Sequence, residues 1–333
     1  MNLYSKKIKF IQYLLLTVFS FYINYYFANK GLYPIDTFTF FDTGYLVTQG
    51  YHPIKDFWAI SGLVADYFQG LLFLLLGYNW NAYIFHASLL NATLSIFFFF
   101  FLNNFSKNIY VNFILSISVA TLCYPVAGTP FPYQHSYVLS LISILIFYLA
   151  IIKNEKKYWI SLPVIMLFSF FSMQMPAGAV NLLILFFIFV FFLKFKDYKI
   201  RFFTIGISIS LFLLIFYFIF LEIDLKDFII QQFLFPLSIG ENRISGDIYA
   251  FESANLFKKL TLRGTIGHFK FIHIFLMANL ISIIIYIKKN FGIFSDRKVL
   301  INLFIFFAGI IFIFHQLITA NQTFIFSLIP VFC

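Results

Sequence analysis

Apolar stretches recur along the whole chain, separated by short polar segments. Ten of them are long enough, or nearly so, to cross a hydrocarbon core about 30 Å thick. They lie near 10–28, 80–102, 109–124, 136–152, 158–173, 178–194, 202–221, 271–287 and 299–318, and the last begins at 322. The pattern predicts an all-α polytopic membrane protein, in which residues 1–333 form one transmembrane bundle of about ten spans.

One further apolar segment, from Gly62 to Gly77, decides the topology of everything that follows it. As a helix it would reach only about 24 Å, it contains Asp66 and Gln69, and Ser61 and Gly77 are suited to cap its ends. We therefore predict an interfacial helix rather than a span.

The composition excludes a soluble globular protein. Only 11% of the residues are charged, 62% are hydrophobic and 53 are Phe, whereas soluble domains carry roughly 25% charged residues. Two cysteines provide neither a disulfide framework nor a metal cluster. In a soluble protein, a net charge of +10 would indicate nucleic-acid binding. The positions of the charges along the chain decide whether that interpretation applies here.

The basic residues mark one side of the membrane. With 62–77 left out of the spans, fifteen of the 23 Lys and Arg fall in short loops on one side: Lys6, Lys7, Lys9, Lys107, Lys153, Lys156, Lys157, Lys194, Lys196, Lys199, Arg201, Lys288, Lys289, Arg297 and Lys298. By the positive-inside rule the N-terminus is cytoplasmic. The loops 29–79 and 222–270 then face outward, and nucleic acid is unnecessary to explain the charge.

Most acidic residues lie on the opposite, outer side, and no Asp, Glu, Lys or Arg falls inside a predicted span, since Lys194 stands at the very end of one. Ion-coupled transporters usually bury such residues, so this pattern argues against one. The last apolar run stops at Cys333 after about a dozen residues without a polar tail. We therefore expect the C-terminus to be incomplete.

The first outer loop carries the most informative chemistry. Asp42 is predicted to be the N-cap of a short helix that ends at Gly50, and Pro53 is predicted to force an extended turn that presents Asp56. Two carboxylates near the membrane surface suit glycosyl transfer, where one removes the acceptor proton and the other orients the acceptor or helps to hold a cation. The alternative is that Asp42 is only a helix cap and Asp56 is only a turn residue.

The loop also resembles a known family. The motifs are Asp42-x-Gly44-Tyr45, Gly50-Tyr51-x-Pro53, Lys55-Asp56-Phe57, and then Gly62, Tyr67 and Leu76-Gly77 before a span. They resemble bacterial membrane glycosyltransferases of the GT-C fold, similar to protein O-mannosyltransferases and lipid A aminoarabinose transferases. The resemblance implies a sugar donor on polyprenyl phosphate, transfer on the outer face, Asp42 as catalytic base and Asp56 as the second acidic residue. His52, in the same loop, is a candidate for substrate binding.

Other outer segments supply candidate binding residues. Three prolines predict an extended segment from 124 to 135 that turns Tyr133 and His135 toward an outer vestibule, where they could bind sugar or belong to an aromatic belt. In the loop 222–270 we predict an interfacial helix near 225–233 and a flexible loop between Gly240 and Gly246. Arg243 and Arg263 are candidate ligands for a lipid phosphate.

These observations predict a glycosyltransferase that moves one sugar from a polyprenyl-phosphate donor to a lipid, glycan or protein acceptor. A lipid-linked oligosaccharide flippase and an outer-face polysaccharide polymerase are the alternatives. No cofactor or metal site is predicted, and whether a divalent cation takes part stays open. The sugar, the acceptor and the oligomeric state are not encoded in any recognisable motif.

Overall fold

The computed structural model describes residues 3–31, 37–59, 62–124, 127–245, 262–290, 296–319 and 328, and only the backbone of 3–6, 262–271, 289, 290 and 319. Apart from an isolated bridge between Pro53 and Phe57, the regular elements in these ranges are helices. They are α1 (Leu3–Ala28), α2 (Thr39–Thr48), α3 (Leu63–Leu76), α4 (Trp80–Leu102), α5 (Ile109–Leu122), α6 (Pro132–Lys153), α7 (Lys156–Phe170), α8 (Gln174–Phe195), α9 (Arg201–Leu221), α10 (Leu225–Ile229), α11 (Phe235–Ser245), α12 (Leu262–Asn290) and α13 (Arg297–Thr319). A short 3-10 turn, Tyr198–Ile200, precedes α9, and a π-helical turn, Ile230–Leu234, joins α10 to α11.

Six helices within the described ranges are long and apolar enough to cross a membrane. They are Lys7–Ala28, Trp80–Leu102, Pro132–Lys153, Gln174–Phe195, Tyr198–Leu221 and Arg297–Ile318. The chain is therefore a helical membrane protein. The prediction of about ten spans is not met by length. The helices α5 and α7 have 14 and 15 residues and reach only about 21–23 Å, and the apolar part of α12, Ile272–Lys288, is also shorter than the six. The predicted span that begins at 322 lies outside the described residues.

Contacts at the helix termini define two ends of the bundle. At one end, which we call the basic end, Arg297 pairs with Asp197 at 3.1 Å and Lys153 donates to the Asn104 carbonyl at 2.7 Å. At the other, which we call the loop end, the Tyr25 hydroxyl of α1 donates to the Asn81 side chain of α4 at 2.8 Å.

This last contact places the end of α1 and the start of α4 at the same end of the bundle, so α3, between them in sequence, does not cross it. Gly77 is the C-cap of α3 as predicted, whereas the N-cap is Gly62 and not Ser61, which lies outside the described residues. Its packed face meets α2 so closely that a Cβ on Gly44 would lie 2.5 Å from the Gln69 side chain. Its other face exposes Leu71, Leu74, Leu75 and Leu76, as an interfacial helix would.

The core lies around α6, the most buried of the six long helices, and α9 is the least buried. Phe147 of α6 packs edge-to-face on Phe304 of α13, with ring centroids 4.5 Å apart. One prediction about the second outer loop is wrong: residues 240–245 do not form a flexible loop but continue α11. Gly246 lies outside the described residues.

Candidate functional site

Asp42 lies on the exposed side of α2. The helix begins at Thr39 with Phe38 as its N-cap, so the prediction that Asp42 is the N-cap is wrong. Asp42 instead lies in the first helical turn, where a carboxylate interacts favourably with the helix dipole. Because Thr43 and Gly44 face α3, the Asp42 side chain points away from that contact and is exposed.

Asp56 is presented by a closed turn. Its carboxylate accepts from the His52 backbone N–H at 2.7 Å, and its own N–H donates to the His52 carbonyl at 2.8 Å. The His52 ring is half-buried and shares a hydrogen bond with the Tyr67 hydroxyl at 3.2 Å. The turn thus holds Asp56 outward at a fixed position, while His52 attaches the turn to α3.

This turn is clamped to the π-helical turn between α10 and α11 by a buried glutamine, Gln231. The Gln231 side chain accepts from the Ala59 N–H at 2.9 Å and donates to the Ile54 carbonyl at 3.1 Å. The Tyr217 hydroxyl of α9 donates to the Pro53 carbonyl at 3.1 Å. Three backbone groups of one loop are therefore satisfied by the other half of the chain.

A cavity of about 270 Å³ lies at the loop end between the start of α8, α11 and the end of α13. Its polar lining residues are Gln174, Arg243 and His315. Its apolar lining residues are Met173, Met175, Phe235, Pro236, Ile239 and Ile318. A cationic group beside an apolar wall suits a ligand that combines an anionic head with a hydrocarbon chain.

The helical form of α11 explains why Arg243 reaches this cavity. Pro236, Ile239, Gly240 and Arg243 follow the spacing i, i+3, i+4 and i+7, so they lie on one helix face, and all four line the cavity. A glycine-bounded loop, as predicted, would not position the guanidinium so closely. The side chain of Arg263 lies outside the described residues, although its backbone belongs to α12.

Tyr133 and His135 diverge, contrary to the prediction that both face an outer vestibule. Because α6 begins at Pro132, positions 133 and 135 point about 200° apart around the helix. The Tyr133 ring packs on His315, with centroids 5.4 Å apart, and so lies one side chain from the cavity. His135 is buried and contacts the His86 ring of α4 instead.

His86 and His135 belong to a buried polar chain that joins three helices. The His86 Nδ1 is 2.8 Å from Gln69 Oε1, and its Nε2 contacts the His135 Nε2. All three side chains are at most 2% exposed. These hydrogen-bonded side chains connect α3 to α4 and α6, so the two histidines help to hold α3 against the bundle.

Asp66 of α3, which was not among the predicted candidate residues, has the only buried carboxyl group among the described residues. It is 2% exposed, and the Thr43 hydroxyl donates to it at 2.5 Å. Burial raises the pKa of Asp66 to about 7, against the opposing effect of the Thr43 hydrogen bond. A polar residue at 66 within an apolar helix was the only signal in the sequence.

The described residues contain no cluster of three His, Cys, Asp or Glu side chains arranged to hold a metal ion. No family model, curated protein or solved structure matches this chain.

Proposed function

We propose that the chain is a glycosyltransferase that moves a sugar from a polyprenyl-phosphate donor to an acceptor on the outer face of the bacterial inner membrane. The observation that carries the proposal is the contact of Trp58 with Phe235, at 5.1 Å between ring centroids. Trp58 follows the Asp56 turn, and Phe235 lines the cavity that contains Arg243. The contact brings a carboxylate-bearing loop and a cationic, apolar cavity into one outer assembly.

The cavity has the chemistry that a lipid phosphate requires. Arg243 can bind phosphate oxygens through two parallel N–H groups, and His315 and Gln174 add hydrogen-bonding edges beside it. Its volume of about 270 Å³ matches a headgroup and the first part of a chain rather than a whole donor. The rest of the chain would lie against the lipid-facing helices.

The reaction follows from these roles. Asp42 takes the proton of the acceptor hydroxyl, and the acceptor oxygen attacks the anomeric carbon with inversion. The bond from that carbon to the phosphate oxygen breaks, and polyprenyl phosphate leaves with its charge stabilised by Arg243. Asp56 orients the acceptor. The acceptor is a lipid, glycan or protein hydroxyl.

Buried polar residues in the middle of the bundle favour a transferase over a flippase. The Asn91 amide donates to the carbonyls of Ser20 and Ala120, at 2.8 and 2.9 Å. These bonds hold helices together, whereas a flippase needs polar groups that line a path. A polymerase would differ in its product, a lengthening glycan chain rather than a single added sugar.

The test uses the full chain in liposomes made from bacterial lipids, with the donor and acceptor first identified by mass spectrometry of envelope glycans with and without the gene. We expect Asp42→Asn to abolish transfer and Asp227→Asn, an exposed acid of α10, to leave it intact. Near wild-type turnover by Asp42→Asn would disprove the catalytic assignment. Lipid translocation without a new glycosidic bond would establish the flippase instead.

A further inference from the structure

Two cations share one aromatic ring at the basic end of the bundle. The Lys156 Nζ lies 5.0 Å from the centroid of the Phe202 ring, and the Arg201 Cζ lies 5.3 Å from it. Both charged residues are exposed. The pair therefore lies within about 10 Å, one Debye length at 0.1 M salt, and its positive potentials add.

The nearby carboxylates are already engaged. Glu155 pairs with Lys157 at 2.8 Å, and Asp197 pairs with Arg297 at 3.1 Å. Asp296 contacts the Tyr286 hydroxyl and accepts from the Lys298 N–H. Among the described residues no carboxylate lies within ion-pair distance of Lys156 or Arg201, so a phosphate can approach both cations without displacing one of these pairs.

The two cations are held in place by close packing of their helices. Lys156 and Arg201 are the first residues of α7 and α9. A Cβ on Gly206 would lie 2.3 Å from the Ile160 carbonyl oxygen, so the two backbones nearly touch one turn below the pair. The packing of the bundle therefore sets the distance between the two helix positions that carry the cations.

An apolar stripe runs along α9 from Arg201 toward the loop end. Ile205, Ile209, Phe212 and Phe216 continue the same helix face at spacings of three or four residues. These side chains are 40–67% exposed, and α9 is the least buried of the six long apolar helices. A molecule whose head meets Arg201 thus finds a hydrocarbon surface directly beside it.

We propose that Lys156, Arg201 and the α9 stripe form a specific site for one anionic phospholipid. Its phosphate lies between the two cations, and its acyl chains lie along Ile205, Ile209, Phe212 and Phe216. The site is at the opposite end of the bundle from the cavity, and it stands whether or not the chain transfers sugar.

The test measures phosphatidylglycerol retained by the full chain in native mass spectrometry, with phosphatidylcholine as the neutral reference. A basic residue near an anionic surface contributes roughly five-fold to affinity. We therefore expect Lys156→Gln with Arg201→Gln to weaken retention of one phosphatidylglycerol by about 30-fold. The matched control, Lys107→Gln with Lys194→Gln, removes two exposed charges from the same end. It should weaken retention by no more than the effect of one such residue, about five-fold, because neither lysine belongs to the pair at Phe202.

Equal loss in both double variants would show general attraction to the basic end and overturn the site. Competition by inorganic phosphate as effective as that by phosphatidylglycerol would show that the stripe contributes nothing, which also overturns the site.

A second double variant, Ile205→Asn with Phe212→Asn, keeps both charges. It should weaken phosphatidylglycerol binding if the acyl chains lie on α9, and unchanged binding would contradict that placement. Thermal unfolding of each variant establishes that it is folded.

Discussion

Trp58 of the first outer loop packs edge-to-face on Phe235 at the start of α11, with an interplanar angle of 83°. The two residues belong to opposite halves of the chain, yet they form one surface next to the cavity that holds Arg243. The outer assembly therefore depends on contacts that no local segment makes alone, and several of those contacts can be tested singly.

The Gln231 clamp should contribute strongly to stability. Gln231→Leu leaves the Ala59 N–H and the Ile54 carbonyl without their side-chain partner, and each lost bond of this kind costs about 1–3 kcal/mol. We expect a lower Tm in detergent and faster proteolysis between 53 and 59. Gln49→Leu is the control, because that side chain is exposed and its contacts are 3.5 Å long. Equal losses in both variants would contradict the clamp.

Asp66 should make stability depend on pH. Its folded pKa of about 7 is above its ordinary value of 3.8, so the folded state retains a proton that the unfolded state releases. Its contribution to the free energy of unfolding is complete below pH 3.8 and is lost as the pH rises through 7. We expect the wild-type Tm to fall over this window and Asp66→Asn to flatten the profile. Asp224→Asn, a helix cap, should leave the fall in place.

The two buried histidines should be energetically coupled. His86→Phe and His135→Phe each remove one member of the chain that begins at Gln69. We expect the double variant to be less destabilised than the sum of the singles, with a coupling energy of about 0.5–3 kcal/mol. His135→Phe combined with Asn154→Ala, at the other end of α6, should be additive. If the effects of both pairs of substitutions were additive, the contact between the two histidines would not be a stabilising interaction.

Close packing of α7 on α9 should make Gly206 intolerant of any side chain. Gly206→Ala places a Cβ 2.3 Å from the Ile160 carbonyl oxygen, and such overpacking typically costs about 1–3 kcal/mol. Thermal unfolding should show the loss. Gly31→Ala adds a Cβ with no heavy atom within 4 Å and should be neutral. An unchanged Tm for Gly206→Ala would mean that the helices are farther apart.

Donor binding should depend on the geometry of Arg243 as well as on its charge. If it binds a phosphate bidentately, kcat/KM should decrease from wild type to Arg243→Lys and further to Arg243→Gln, with the donor KM rising in the same order. Lys226→Gln removes an exposed cation on the neighbouring helix α10 and is the control. If Arg243→Lys were as active as wild type, Arg243 would act only through its positive charge and not through bidentate binding.

Helix positions were predictable where a strong local signal existed. Six predicted spans coincide with the six long helices, and α3 ends at its glycines because the hydrophobic run does so. The turn at Asp56 was predicted from Pro53, but hydrogen bonds to His52 close it where an extended turn was expected. The start of α2 was misplaced, since Asp42 is as well suited to the first helical turn as to a cap. For α11, Gly240 was taken as a helix breaker although helices tolerate an isolated glycine.

The amino-acid sequence by itself determined that the chain is a helical membrane protein, how its basic residues divide between two sides, and which segments leave the bundle. Only the tertiary structure decided which side chains meet: Trp58 with Phe235, His86 with His135, and Arg243 with the cavity. The reason is physical. Lipid tails are as apolar as a protein interior, so these helices are hydrophobic on every face, and their sequences do not reveal which face packs inward.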